Sequence, residues 1–221
     1  MDLLVVRHGE SEGNAAGRLQ GSTDAPLTER GRAQATMLGR WLALRGLRWA
    51  AAYASPLERA RDTAAILAAQ TGFPAATAEP DLVEVQAGRL EGLTREEIAS
   101  RHPEFLERRI TELGDFAAYG GESHDEVQGR AVRVLDALIA RHRAGADRVL
   151  LVAHGGFNFH LVKAAICWPV PRLCLATFGN CTLALLRFRE RRNEYLADLA
   201  WHLPLELTGG EPGEGSTGVF R

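Results

Sequence analysis

Two short apolar runs, unbroken by any polar residue, set the strongest limit on how this chain can fold. Residues 3–6 (Leu-Leu-Val-Val) end at Arg7-His8-Gly9, and residues 149–153 (Val-Leu-Leu-Val-Ala) end at His154-Gly155-Gly156. Apolar runs of this length closed by a turn read as strands buried on both faces, and such strands belong to sheets covered by helices on both sides. The intervening segments supply those helices. Thr28 is a predicted N-cap with Glu29 in the first turn, and Met37, Leu38, Trp41 and Leu42 follow at helical spacing until Gly46. Residues 50–54 form a second short strand ending at Ser55-Pro56, and a helix over about 57–70 stops at Gly72. Thr94 with Glu97, and Ser123 with Glu126, are capping boxes that open a short helix and a long one reaching about residue 143.

The remaining segments are less regular. Residues 13–27 read as a loop, and residues 75–93 as a weak strand followed by a loop that holds Glu84. Residues 102–122 are polar, with one predicted helix. Residues 181–188 and 194–200 alternate well enough to be two antiparallel strands. The expected architecture is therefore an α/β three-layer sandwich: a mostly parallel central sheet, helices on both faces, and an antiparallel edge strand. The chain would form one domain over residues 1–208. From Gly209 the Gly, Glu and Pro content predicts a disordered tail over 209–221.

Composition narrows the function classes. Of 221 residues, 46% are hydrophobic and 24% charged, which is enough apolar content for a full core. The net charge of -2 supplies no global field to recruit nucleic acid or an anionic membrane, so any anion must be held by a local cluster. No Gly-rich loop carrying Lys and Ser or Thr marks a nucleotide-binding protein. Cys167, Cys174 and Cys181 are odd in number and lie in or beside apolar stretches, which fits free thiols in a reducing compartment. No apolar run has the length of a membrane span and no basic leader precedes the first strand, so a cytoplasmic protein is expected. No cysteine pair has zinc spacing, and no metal or other cofactor is expected.

Three strands deliver reactive residues at their C-terminal ends, the place where open α/β sheets bind ligands. His8 would be held rigidly at such an end. Its ring is substantially neutral near pH 7, and the Gly9 carbonyl can fix the proton on Nδ1, leaving Nε2 to attack. Arg7 and Arg59 present planar forks suited to phosphate oxygens. His154 is a second strand-end histidine, and Gly155 would leave the approach to a substrate open. Asn14 and Gln20 can donate neutral hydrogen bonds, and Glu84 has no evident structural task. Ser11 can bond a substrate oxygen or stabilise its own turn. Two histidines, two arginines, a carboxylate and two amides suffice for phosphoryl transfer in which protein cations do the work of magnesium. His160 lies six residues after His154, so on a helix the two would diverge by more than a right angle, which argues against a shared metal.

Arg7-His8-Gly9-Glu10-Ser11 with Asn14 resembles the signature of the histidine phosphatase superfamily, the phosphoglycerate-mutase-like proteins. The resemblance extends over about residues 2–203. It runs through Gln20-Gly21, Pro26-Leu27-Thr28-Glu29-Arg30-Gly31, Ser55-Pro56-Leu57-Glu58-Arg59-Ala60, the region of Glu84, Gly121-Glu122-Ser123 and His154-Gly155-Gly156. It implies that His8 is the nucleophile and that Arg7, Arg59 and His154, helped by Asn14, clamp the phosphoryl group. Glu84 would be the acid and base, and Gln20 and Gly21 would line the entrance. Val85-Gln86-Ala87-Gly88 offers no cation after Glu84 for a glycerate carboxylate, which points to the phosphatase branch rather than the mutases. Leu90 stands where the family commonly has an aromatic residue. By the same resemblance the substrate is a small phosphate ester, and residues of about 94–124 form a specificity lid, with Arg108, Arg109 and His124 as candidate substrate contacts. The strands near the C-terminal end could pair with a second copy, making a homodimer an open possibility.

Overall fold

The structure, a computed structural model, describes residues 1–72, 74–107, 115–142, 148–166, 178–191 and 194–203. The expected architecture holds. Strands β1 (Asp2–Arg7), β2 (Ala51–Ala54), β3 (Thr77–Ala78) and β4 (Arg148–Ala153) run parallel, while β5 (Leu183–Arg191) and β6 (Glu194–Leu203) run antiparallel. The sheet order is β3-β2-β4-β1-β5-β6. The antiparallel part is two strands wide, with β6 outermost. The weak strand predicted in 75–93 shrinks to the two residues of β3, because most of that segment is committed to single turns around Pro80–Leu82 and Gly88–Leu90.

The central strands show why continuous apolar runs form here. Alternate residues of β1 and β4 enter two different cores. Leu3, Val5, Val149 and Leu151 pack against helices α6 (His124–His142) and α7 (Gly155–Ala165) on one face. Leu4, Val6, Leu150 and Val152 pack against α2 (Glu29–Leu44) and α3 (Glu58–Thr71) on the other. A strand with cores on both faces has no position for a polar side chain, and each fully buried Leu or Val contributes roughly 1.5–3 kcal/mol.

Helix starts follow the predicted caps. Thr28 accepts the Gly31 amide, Thr94 and Glu97 complete a capping box before the short helix α4 (Arg95–Arg101), which the single turn α5 (Pro103–Leu106) follows, and Ser123 with Glu126 make reciprocal bonds before α6. One element departs from expectation. Residues 13–27 are not wholly loop, because Glu12–Ala15 form a single helical turn, α1, with Ser11 as its N-cap. Gly13 and Asn14 are weak helix formers, and the cap outweighs that propensity.

The register brings the three reactive strand ends together. Arg7 pairs with Ala153 across β1–β4, and Ala54 pairs with Val152 across β2–β4. Arg7-His8, Ser55 and His154 therefore leave the sheet side by side at one edge. The chain continues from β1 to α2 on one face and from β4 to α7 on the other, which opens a crevice there. Among the described residues, no helix is long and apolar enough to cross a membrane.

Candidate active site

His8 is fixed through its backbone. Its amide donates to Ala153 O at 3.0 Å, and its carbonyl accepts from Asn180 Nδ2 at 3.1 Å and from the Cys181 amide at 3.2 Å. Nδ1 lies 2.7 Å from Gly9 O, and only a protonated Nδ1 can bond a carbonyl, so the lone pair sits on Nε2. Gly9 is itself held by Thr63 Oγ1, which accepts its amide at 3.0 Å. The ring is 2% exposed, and its centroid stands 5.1 Å from that of His154.

Two buried guanidiniums frame these rings. Arg7 Nη1 donates to Phe178 O at 2.6 Å. Arg59, 1% exposed, donates through Nη1 to Thr23 O at 2.8 Å and through Nη2 to Gly21 O at 3.0 Å, while its buried Nε has no partner among the described residues. Gly21 takes a left-handed conformation with φ of 53°, and a side chain there would collide with the Glu91 carboxylate. Its carbonyl is thereby turned onto Arg59, which ties the Gln20-Gly21 loop to the cationic wall.

His154, the N-cap of α7, bonds Ser55 Oγ through Nε2 at 2.8 Å. Ser55 Oγ also accepts the Leu57 amide at 3.3 Å. The other ring nitrogen, Nδ1, is buried and has no partner among the described residues. A buried Nδ1 of His154 and a buried Nε of Arg59 are thus left without a partner among the described residues.

Glu84 approaches from the opposite wall. Its Oε1 accepts the amides of Val85 at 2.9 Å and Phe157 at 2.8 Å, and Oε2 accepts that of Gly156 at 3.1 Å. The carboxylate therefore rests on the first turn of α7. A Cβ at position 156 would come within 2.8 Å of Glu84 Oε1, which explains why glycine stands there. At Gly155, beside Arg7, a Cβ would make only ordinary contact, 3.4 Å from Nε.

The remaining predicted residues take different places. Asn14 Oδ1 accepts from Ser11 N, Ser11 Oγ and Asn180 Nδ2, so its amide nitrogen is the free end. Ser11 is fully buried, and its hydroxyl caps α1 and reaches Gln20 Oε1 at 2.9 Å. Gln20 is thus part of the same wall. His124 begins α6 and packs its ring against His160 at 5.4 Å, and His160 also bonds Gln128 at 3.2 Å. Arg108, Arg109, Cys167, Cys174 and the tail 209–221 lie outside the described residues.

Sequence reasoning missed the segment that closes the site from behind. Phe178 O, Asn180 Nδ2 and the Cys181 amide all grip Arg7 or His8. Cys181 reaches them with a φ of 53°, unusual for a residue other than glycine. Burial pushes its thiol up to about 12, so it stays protonated. Ser55 and Thr63 were legible as motif residues but not as partners of His154 and Gly9. No spacing in the chain links 180 with 8; only the antiparallel return of β5 beside β1 does so.

Burial first, and then Arg7 and Arg59, hold His8 well below its ordinary 6.5; burial, Arg59 and His8 do the same for His154. Burial and His124 lower His160 to about 3. All three rings are neutral in the folded protein, whereas the unfolded chain takes up protons near 6.5. The stability they contribute is therefore fully present above pH 6.5 and is lost as pH falls below it. The loss is at most about 1.4 kcal/mol per pH unit for each ring. Thermal melts between pH 8 and 5 should show a Tm that is flat above about pH 7 and falls steadily below about 6.5. A Tm unchanged down to pH 5 would contradict this assignment.

A pocket of two buried guanidiniums, two neutral imidazoles and a facing carboxylate can bind a tetrahedral dianion and transfer it. The model of the histidine phosphatase superfamily, branch 1, matches residues 3–198. The chain belongs to this superfamily. A glucosyl-3-phosphoglycerate phosphatase of Mycolicibacterium vanbaalenii is 33% identical over 212 residues, covering 91% of this chain and 92% of that protein. A metal-independent phosphoserine phosphatase of Arabidopsis thaliana is 36% identical over 156 residues, 70% of this chain, and the chain spans 64% of that relative's length. The solved structure of a mycobacterial glucosyl-3-phosphoglycerate phosphatase with VO3 superposes with a TM-score of 0.78 at 30% identity, covering 90% of this chain and 97% of that one. As a member of the superfamily with phosphatases for relatives, the chain is a phosphatase of the histidine phosphatase type.

Proposed function

We propose that this histidine phosphatase hydrolyses small phosphate monoesters in two displacements at His8, without a metal. The observation that carries the reading is the His8 ring itself: Nδ1–H is tied to Gly9 O and the neutral ring presents Nε2 within a buried pocket that also holds Arg7, Arg59 and His154. In the first displacement Nε2 attacks phosphorus, the P–N bond forms and the ester P–O bond breaks. Glu84 gives a proton to the departing alkoxide oxygen. In the second, water attacks phosphorus, Glu84 takes its proton, the P–N bond breaks, and inorganic phosphate leaves with His8 neutral again.

Arg7, Arg59 and His154 hold the equatorial oxygens, and Asn14 Nδ2 adds a fourth donor position. Burial lowers both arginines below the usual guanidinium range, and a bound dianion offsets that desolvation. Gln20 and Gly21 form the entrance. Ser11 acts from within the wall by ordering Asn14 and Gln20, and Gly155 leaves room beside Arg7 for the phosphoryl group. Substrates of the kinds in the relatives' names, phosphoserine and glucosyl-3-phosphoglycerate, head the list to assay.

The purified protein should hydrolyse para-nitrophenyl phosphate equally well with and without EDTA, and a panel of phosphoserine, 3-phosphoglycerate and glucosyl-3-phosphoglycerate should then rank the natural esters. Inhibition by EDTA that a divalent metal reverses would overturn the metal-free reading.

A further inference from the structure

Glu84 sits on a segment with little regular structure, between a single turn at Pro80–Leu82 and another at Gly88–Leu90. A proton donor on such a segment needs an external frame, because misplacement by about 1 Å can cost on the order of 100-fold in rate. Three amides orient the carboxylate, but they leave open what holds the backbone beneath it. The α6 helix supplies an answer in Arg130, which is 5% exposed although it lies in a stretch of alternating polar and apolar residues.

Each face of the Arg130 guanidinium is engaged. Nε and Nη2 form a two-pronged pair with Glu122, at 3.1 Å to Oε1 and 2.8 Å to Oε2. Nη1 donates to Asp81 O at 2.8 Å and to Val83 O at 2.6 Å, and Nη2 makes a longer contact of 3.5 Å with Glu84 O. Glu122 in turn accepts the Gln86 amide at 2.9 Å, and the Glu122 amide donates to Gln86 O at 2.9 Å. Residues 81–86 are thus fastened on one flank by Arg130 and on the other by its ion-pair partner. The guanidinium also lies 4.8 Å above the Phe157 ring, and the Phe157 amide is one of the three donors to the Glu84 carboxylate.

We propose that the Arg130–Glu122 pair is the positioning device for Glu84, fixing both the backbone that carries it and the helix start that receives its carboxylate. A largely buried ion pair of this kind adds little net stability over apolar residues of the same volume. A role in placing the proton donor accounts for charged groups at a site where packing alone would favour Met or Leu. The inference rests on the reading of Glu84 as the proton donor.

The test compares Arg130→Lys and Glu122→Gln with Glu84→Gln and the unmodified protein. Each is assayed on para-nitrophenyl phosphate, whose leaving group needs little protonation, and on phosphoserine, whose alkoxide needs a full proton. Both pair variants should lose at least ~10-fold more kcat/KM on the alkyl ester than on the aryl ester, because kcat/KM reports the displacement in which the leaving group departs. In a Glu84→Gln background that selective loss should disappear, because a group that acts through Glu84 has nothing left to position. Equal loss on the two esters, or a selective loss that persists in full without Glu84, would overturn the inference while leaving the acid role intact. A Glu84→Gln protein that itself shows no leaving-group selectivity would overturn the acid role and the inference together. Should Arg130→Lys not fold, Glu122→Gln carries the comparison; if neither folds, the pair is a folding element and the inference fails.

Discussion

His8→Ala should lower turnover of any phosphate ester by on the order of 10⁴-fold or more, while the protein stays folded. The reason the fold survives is that His8 is anchored through main-chain atoms. The bonds from its amide to Ala153 O and to its carbonyl from Asn180 and Cys181 do not involve the ring. The substitution removes one ring bond, to Gly9 O, and creates a small void between two guanidiniums, a cost of about 1–3 kcal/mol. It removes no charge, because the ring is neutral. Hydrolysis of para-nitrophenyl phosphate and a thermal melt on the same preparation check both halves. A folded variant that keeps about a tenth of the activity would be incompatible with attack by this residue.

The second large effect falls on Glu84 and depends on the substrate. Glutamine keeps the shape of the side chain, and its carbonyl oxygen can still accept the amides of Val85 and Phe157. Its NH2 end faces the Gly156 amide, which needs an acceptor, and it carries no transferable proton at neutral pH. Glu84→Gln should therefore slow an alkyl ester such as phosphoserine by roughly 10²–10³-fold, the range for loss of a general acid. Para-nitrophenyl phosphate should lose less than about 10-fold in its first step, since its leaving group departs as a stable anion. Comparison of kcat/KM on the two esters reads this first step, because the second displacement is common to both, and equal losses would remove Glu84 from protonation of the leaving group.

Most of what places these residues was readable in the chain. Residues 3–6 and 149–153 admit no polar side chain, so their strands had to lie at the middle of a covered sheet, and His8 and His154 had to emerge at its edge. Thr28, Thr94 and Ser123 announced three helix starts through cap chemistry that is local by nature. Local chemistry also explains what could not be read. The turn of α1 hides in weak helix formers because a reciprocal cap between Ser11 and Asn14 decides it. Asn180 and Cys181 hold His8 through backbone and amide bonds across more than 170 positions, a contact with no periodicity. Arg130 looks like an ordinary charge on a helix, and only the course of residues 81–86 beneath it turns that charge inward.

Hydrolysis in two displacements requires a covalent phosphoryl bond to His8 Nε2. The protein can be mixed with 32P-labelled phosphoserine, quenched in base within milliseconds and digested, and the label located by peptide. The prediction is a base-stable, acid-labile label on the peptide carrying His8, absent from His8→Ala. Label on another residue, or turnover with no labelled protein at any quench time, would contradict it.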